Sequence, residues 1–284
     1  MSEISAGGHT VRIVPGPAER DPAAHARRIR SEERLLSIAT PVLFLLAWEA
    51  AGQIGWLPQR FFPPPSRIVM SAYGMARSGE LQADLTASIL RILAGFVLGV
   101  VTGVLAGLLL GLSRRAHAAL DPFLSALYTV PKLAILPLLL LIFGLGELPN
   151  VLLVGMTVFF LVWITCMEAV MTIPEHYREA ARSFGAGRWA MFVHVIWPAM
   201  LPQLFVAMRL SIGTAVLVIV GVEFVQADVG IGFRIWHSWS LFQADRMYVG
   251  ICAVALLGYG FATIVRGCAR FAMPWTKSRH GRSG

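Results

Sequence analysis

Ionisable residues stand inside long apolar runs of this 284-residue sequence, where an unpaired charge is costly. They include Glu49, Lys132, Glu168, Arg209 and Glu223. Such residues either hold neighbouring helices together or line a polar path. Lys132 and Glu168 have a simpler interpretation, a position near lipid headgroups that their flexible stems can reach. The sequence leaves the roles of Glu49, Lys132 and Glu168 open.

Catalytic motifs are missing from the sequence. Its lysines are Lys132 and Lys277, neither follows a glycine, and so no phosphate-binding Gly-Lys loop exists. The patterns His-Glu-x-x-His and Gly-x-Ser-x-Gly are also absent, and the seven histidines show no ligand spacing. Three cysteines stand far apart and form no paired motif. We therefore expect no catalytic residues, no metal site and no cofactor in this chain, and an intramembrane enzyme would lack a catalytic set.

The composition indicates a membrane protein. Hydrophobic residues make up 56% and charged residues 14% of the chain, whereas soluble domains are about 25% charged. A bilayer core takes about 20 apolar residues as a helix. We predict an all-α polytopic membrane protein. Residues 35–271 are expected to form one transmembrane domain, with no separate soluble domain. A disordered cytoplasmic tail at 1–34 precedes it and a cytoplasmic tail at 272–284 follows it. Its six predicted spans are roughly 35–56, 85–112, 123–145, 148–173, 200–225 and 247–271.

Glycine and proline spacing adds local detail. In the second span glycine recurs at every fourth position, which predicts a helix face without side chains that another helix approaches closely. The glycines are Gly95, Gly99, Gly103, Gly107 and Gly111. The stretch 58–65, PQRFFPPP, cannot be regular helix, and residues 66–79 are predicted as a short interfacial helix.

The distribution of Lys and Arg predicts the orientation. With the N-terminus in the cytoplasm, inner segments carry sixteen Lys and Arg and outer segments carry five. The positive-inside rule therefore predicts that both termini are cytoplasmic.

The longest inner segment between two spans, Thr172–Pro202, predicts two short helices. Thr172 is the expected N-cap, Pro174 and Glu175 suit a first turn, and Gly185 suits the left-handed residue that ends a helix. The second arm carries an apolar side and is closed or bent by Pro198. Helices this short are marginal alone. The apolar faces must therefore be covered, either by the chain's own helices and lipid headgroups or by a groove on a cytoplasmic partner.

The same segment resembles the EAA loop of membrane subunits of bacterial ABC importers. Glu179, Ala180, Ala181, Gly185 and Pro198 fit that pattern, whereas Val195 stands where the pattern has isoleucine and Trp197 where it has leucine. The resemblance implies that the ATPase-coupling residues are Glu179, Ala180, Ala181, Phe184, Gly185, Val195 and Pro198. The stretches at 61–69, 109–148 and 221–235 are similar to permeases of the nitrate, sulfonate and taurine group, so the resemblance runs from about residue 35 to 271.

This resemblance implies a type I ABC importer fold and a division of labour. Two ATP-binding subunits, carrying ATP and Mg²⁺, would dock on the EAA residues, and an extracytoplasmic solute-binding protein would deliver the ligand. A second copy of the chain would complete the path, and nucleic acid would play no part. Arg209 is expected near the inner part of the subunit interface and Glu223 near the outer gate.

The implied function is transport across the bacterial inner membrane of a small, anionic solute of the sulfonate, taurine or nitrate type. The alternative is a secondary transporter or channel that acts without an ATPase, which would need an internal repeat or its own ion site. The sequence fixes neither the solute nor the choice between a homodimer and a heterodimer of permeases.

Overall fold

The computed structural model describes residues 3–6, 9–12 and 22–275, and the chain divides into two units, Met1–Arg67 and Ile68–Gly284. In the first unit, strands β1 (Glu3–Ala6) and β2 (His9–Arg12) form an antiparallel pair, and helix α1 follows at Pro22–Ile54. The carboxylate of Glu49 on α1 accepts bonds from the backbone and hydroxyl of Ser66, at 2.9 and 2.7 Å. Glu49 thus ties α1 to the first turn of the next helix, which begins at Pro65.

The tail expected at 1–34 differs from the structure where residues are described. Helix α1 begins at Pro22, thirteen positions before the predicted span, because alanine, arginine and glutamate in this stretch favour helix and extend it. The stretch 58–64 is not helical, and helix α2 begins at Pro65, which suits a first helical position. Residues 276–284, within the predicted C-terminal tail, lie outside the described residues.

Ten further helices complete the described chain. Helix α2 crosses the boundary between the units, and the others belong to the second unit. They are α2 (Pro65–Ser78), α3 (Glu80–Leu112), α4 (Arg114–Thr129), α5 (Leu136–Phe143), α6 (Glu147–Met171), α7 (Glu175–Ser183), α8 (Arg188–Met191), α9 (Trp197–Gln226), α10 (Ile231–Ser240) and α11 (Ala244–Ala272). A 3-10 turn, Lys132–Ile135, joins α4 to α5, and a π turn, Phe192–Ile196, joins α8 to α9.

The glycine stripe of α3 packs directly on α6, which confirms the predicted close approach. A Cβ added at Gly99 would lie 2.5 Å from the carbonyl oxygen of Gly155, and one at Gly107 would lie 2.6 Å from the Cβ of Cys166. Side chains longer than hydrogen would therefore force the two helices apart. Helix α9 packs on the other side of α6, and the main apolar core lies among α3, α6, α9 and α11.

The third predicted span, 123–145, is wrong as one continuous helix. The structure breaks it into α4 and the Lys132–Phe143 segment, which meet at 90°. Pro131 lacks an N–H group and restricts Val130 to an extended conformation, so the helix ends at Thr129. Together, α4 and the Lys132–Phe143 segment form a bent pair of the kind found in a broken span or a re-entrant loop.

The all-α fold class with five to six membrane helices is confirmed. Among the described residues, five helices are long and apolar enough to span a membrane, and the bent pair counts as a sixth.

Candidate functional site

Helix α7 is defined by local signals at both of its ends. Pro174 takes an extended backbone conformation before it, and Glu175 places a carboxylate in its positive first turn. After it, Gly185 adopts φ +76°, the left-handed conformation that the sequence predicted for this position. The predicted N-cap Thr172 is wrong, because its hydroxyl bonds back to the carbonyl of Glu168 and closes α6 instead.

Aromatic side chains project from α7 and from the start of α8 into the surroundings. The exposed fraction is 92% for Phe184, 77% for Trp189 and 57% for Tyr177. An apolar surface of this kind, on a helix of nine residues, is typical of a docking element. We call Tyr177, Phe184 and Trp189 the aromatic docking surface.

The remaining EAA residues lie beside this surface. Glu179 and Ala180 are exposed and Ala181 is half-buried, while Val195 and Pro198 are half-buried on the second arm. That arm is not a separate helix, because α8, the π turn and α9 run on without a break from Arg188 to Gln226. Pro198 does not end this helix, and it lies just after the π turn Phe192–Ile196, where the helix is locally widened.

Arg178 holds α7 against the end of α6, a role that the sequence reading missed. Its guanidinium donates a 2.9 Å bond to the carbonyl oxygen of Val170 in the last turn of α6. The sequence signal for this contact was an arginine directly before Glu179 of the EAA motif. The aromatic docking surface is therefore connected to a membrane-spanning helix by a side-chain contact.

At the other end of the second unit, Glu223 is fully buried and accepts several bonds. Its carboxylate accepts from Ser88 Oγ at 2.8 Å, from Arg91 Nη1 at 2.8 Å and from the Gly232 N–H at 2.8 Å. A buried carboxylate is stable only with such a set of donors. Glu223 thereby joins α9 to α3 and to the start of α10.

The first turn of α10 is capped by side chains from α3. The N–H of Gly230 donates to Asp84 at 3.0 Å, and the N–H of Ile231 donates to Ser88 Oγ at 2.9 Å. Arg234 in the same helix donates to Asp84 at 2.6 Å. Together with the Gly232 N–H, which donates to Glu223, three backbone N–H groups at the N-terminus of α10 thus have oxygen acceptors, as a helix N-terminus requires.

Arg91 occupies the centre of this arrangement. Besides Glu223, it bonds the carbonyl of Val229 at 2.6 Å and Glu147 of α6 at 2.7 Å through Nη2. Glu223 is buried whereas Glu147 is 66% exposed, so the two carboxylates experience different environments. We call Asp84, Ser88, Arg91, Glu147 and Glu223 the carboxylate–arginine network. The sequence analysis overlooked Arg91, although an arginine within the apolar run 85–112 was a signal.

The other ionisable residues of the spans are dispersed. Arg209 and Glu168 are exposed on the subunit surface, and Arg209 has no carboxylate partner among the described residues. Arg209 and Glu223 thus differ in exposure, because α10 covers α9 only near Glu223. Lys132 lies at the break between α4 and the Lys132–Phe143 segment, beside α6. In the described part of the chain, no three His, Cys, Asp or Glu are arranged to hold a metal ion.

This architecture defines a class. Long helices packed around a glycine-rich contact, with a short amphipathic helix displayed between two spans, are typical of a transporter's membrane subunit. The chain belongs to the family of inner membrane components of binding-protein-dependent transport systems, whose profile matches residues 99–271.

Relatives and solved structures agree with this assignment. The chain is 35% identical to the putative aliphatic sulfonates transport permease SsuC of Escherichia coli, over 84% of this chain and 91% of that protein. It is 28% identical to the E. coli taurine permease TauC, over 88% and 95%. An inward-facing MetNI methionine ABC transporter has the same fold, with a TM-score of 0.60 at 18% identity over 66% of this chain and 93% of that one. The chain is thus the permease subunit of an ABC importer.

Proposed function

We propose that two copies of this chain form the path of an importer for a small anionic solute of the sulfonate class. Two ATP-binding subunits, which carry ATP and Mg²⁺, dock on the aromatic docking surface. An extracytoplasmic binding protein delivers the solute to the end of the subunit that holds the carboxylate–arginine network. Both termini and the docking surface face the cytoplasm, in keeping with sixteen Lys and Arg on that side against five.

The observation that carries this proposal is the exposure of the docking surface. Phe184, the residue that directly follows α7, is 92% exposed, and α7 itself has no buried residue. Exposed aromatic side chains in a short helix favour insertion into a hydrophobic groove of a partner. The position of this helix between two spans gives an ATPase a direct route to the membrane helices.

The solute class rests on the named relatives. The SsuC proteins of E. coli and Bacillus subtilis, 35% and 33% identical, are named for aliphatic sulfonates, and TauC is named for taurine. A 33% identical relative from Chloroflexus aurantiacus is named for riboflavin. The sulfonate proposal therefore needs a test on the transported molecule itself.

The test compares Phe184→Ser with the wild-type chain, co-expressed with its ATPase and supplied with its binding protein. We expect at least tenfold less ATPase recovered with the subunit and loss of ethanesulfonate uptake into vesicles. The free subunit should unfold at an unchanged temperature, because Phe184 makes almost no contacts. Tyr73→Ser, which alters an exposed aromatic residue of α2, is the matched control and should transport normally.

Three results would contradict the proposal. Normal ATPase recovery and uptake with Phe184→Ser would show that docking occurs elsewhere. Wild-type uptake without any ATPase would favour a secondary transporter or channel. Uptake of riboflavin but not of ethanesulfonate would show that the solute is not a sulfonate.

A further inference from the structure

The break between α4 and the Lys132–Phe143 segment places an ammonium group beside two aromatic rings. Lys132 Nζ lies 4.6 Å from the ring centre of Tyr128 and 4.8 Å from that of Phe160. It also donates a hydrogen bond to the carbonyl oxygen of Tyr128, which the end of α4 leaves without a helical partner. These contacts hold the charge at one defined position.

That position lies beside the middle of a helix that is long and apolar enough to span a membrane. Phe160 stands thirteen residues from Glu147 and eleven from Met171, so it is about 20 and 16 Å from the two ends of α6. A lysine stem reaches about 6 Å, whereas the headgroups lie about 15 Å from the centre of a bilayer. Lys132 therefore cannot carry its charge out to the membrane surface.

The ammonium has unused hydrogen-bonding capacity. Among the described residues no carboxylate lies within 4 Å of Lys132, although an ammonium carries three donors and Tyr128 accepts only one. Arg91 is the opposite case, since carboxylates and a carbonyl occupy its guanidinium. Lys132 is half-buried, so its remaining donors are accessible from outside the subunit.

A cation at this depth is strongly disfavoured against lipid and requires water or an anion. The aromatic rings stabilise it only partly, since each such contact is worth about 0.5 to 2 kcal/mol. On the basis of the function proposed above, we propose that Lys132 lines the aqueous path at the helix break and binds the anionic group of the solute. A sulfonate offers three oxygen acceptors to the two free N–H donors.

A thiol reporter tests this assignment without knowledge of the solute. Thr129, exposed one turn before Lys132, is replaced by cysteine in a chain whose Cys166, Cys252 and Cys268 are alanine. The assembled transporter in vesicles then reacts with two water-soluble methanethiosulfonates, one bearing ethylsulfonate and one bearing trimethylammonium. Reaction itself reports that water reaches this position, and the rate ratio reports the sign of the local charge there, while the uptake measurement described below tests the contact with the solute.

We expect Thr129→Cys to react and the anionic-to-cationic rate ratio to fall at least fivefold when Lys132→Met is added. Lys132→Arg should retain the ratio. Lys277→Met, which alters the chain's other lysine, is the matched control. Absence of reaction with either reagent, or a ratio that does not change in Lys132→Met, would overturn the inference.

Transport separates this inference from the proposed function. In Lys132→Met we expect ATPase recovery as in wild type, ethanesulfonate uptake at least tenfold slower, and an unchanged KM that the binding protein sets. A wild-type chain that recruits no ATPase refutes the proposed function, whereas normal uptake by Lys132→Met in a working complex refutes only the role of Lys132.

Discussion

The two ends of the second unit differ in burial: one end buries polar and charged side chains, and the other end exposes aromatic side chains. At the carboxylate–arginine network, Glu223, Ser88 and Asp84 are at most 1% exposed and each has partners from other helices. At the aromatic docking surface, Phe184 and Trp189 are mostly exposed. One end completes its contacts within the chain and the other leaves them to a partner.

This difference indicates where stability and where coupling reside. Mutations of the buried residues of the network should destabilise the subunit, because a buried charge loses its compensation. Mutations at the docking surface should leave the fold intact and alter assembly, because exposed side chains contribute little to the fold.

The largest effect is expected for Glu223→Gln. The loss of its charge leaves Arg91 partly uncompensated and turns an amide N–H toward donors, at a cost of about 3 to 5 kcal/mol. Thermal unfolding of the purified subunit measures this, with Glu168→Gln on an exposed glutamate as control. Equal unfolding temperatures for the two variants would refute the contrast between the ends.

A smaller loss is expected for Gly99→Ala in the helix contact. The added Cβ would meet the carbonyl of Gly155 at 2.5 Å and separate α3 from α6, which costs about 1 to 3 kcal/mol. Gly213→Ala, where nothing lies within 4 Å, should be neutral or stabilising by up to about 1 kcal/mol. A stability loss in Gly213→Ala as large as in Gly99→Ala would show that the stripe has no special role.

Arg178→Met should separate coupling from folding. It removes the bond to the Val170 carbonyl, worth about 1 kcal/mol, and loosens α7 from α6. We expect about two- to fivefold less solute transported per ATP hydrolysed at nearly normal ATPase recovery. Arg182→Met, whose guanidinium pairs only with exposed Glu175, should couple normally. Tight coupling in Arg178→Met would place the mechanical connection elsewhere.

The smallest effect is expected for Glu147→Gln. Its carboxylate binds the same Arg91 as Glu223 does, but at 66% exposure water screens the pair, which is then worth about 0 to 1 kcal/mol. The unfolding temperature should shift little, and less still at high salt. A loss as large as that of Glu223→Gln would mean that burial does not separate the two carboxylates.

Features encoded by neighbouring residues were predictable from the sequence. Gly185 was predicted to end the first short helix, and the glycine stripe was predicted to meet another helix, because turn geometry and helical periodicity are local. The identity of that helix, α6, was not predictable, since any apolar helix satisfies the same pattern.

Long-range pairing was beyond the sequence. Arg91 and Glu223 are separated by 132 positions, and nothing in either neighbourhood specifies the other. The break at Pro131 was missed because the apolar content of residues 123–145 suggested one span, although proline was the visible signal. The π turn was also not predicted, because Pro198 was expected to close or bend the second arm, whereas the helix continues through it after a widened turn.

The uninterrupted helix from Arg188 to Gln226 has a mechanical consequence. Its 39 residues extend for almost 60 Å as a single helix, with Trp189 near one end and Glu223 near the other. A force applied at Trp189 is therefore transmitted along the helix to the buried Glu223. The widened turn at Phe192–Ile196 is the one place between them where the described helix departs from regular α geometry.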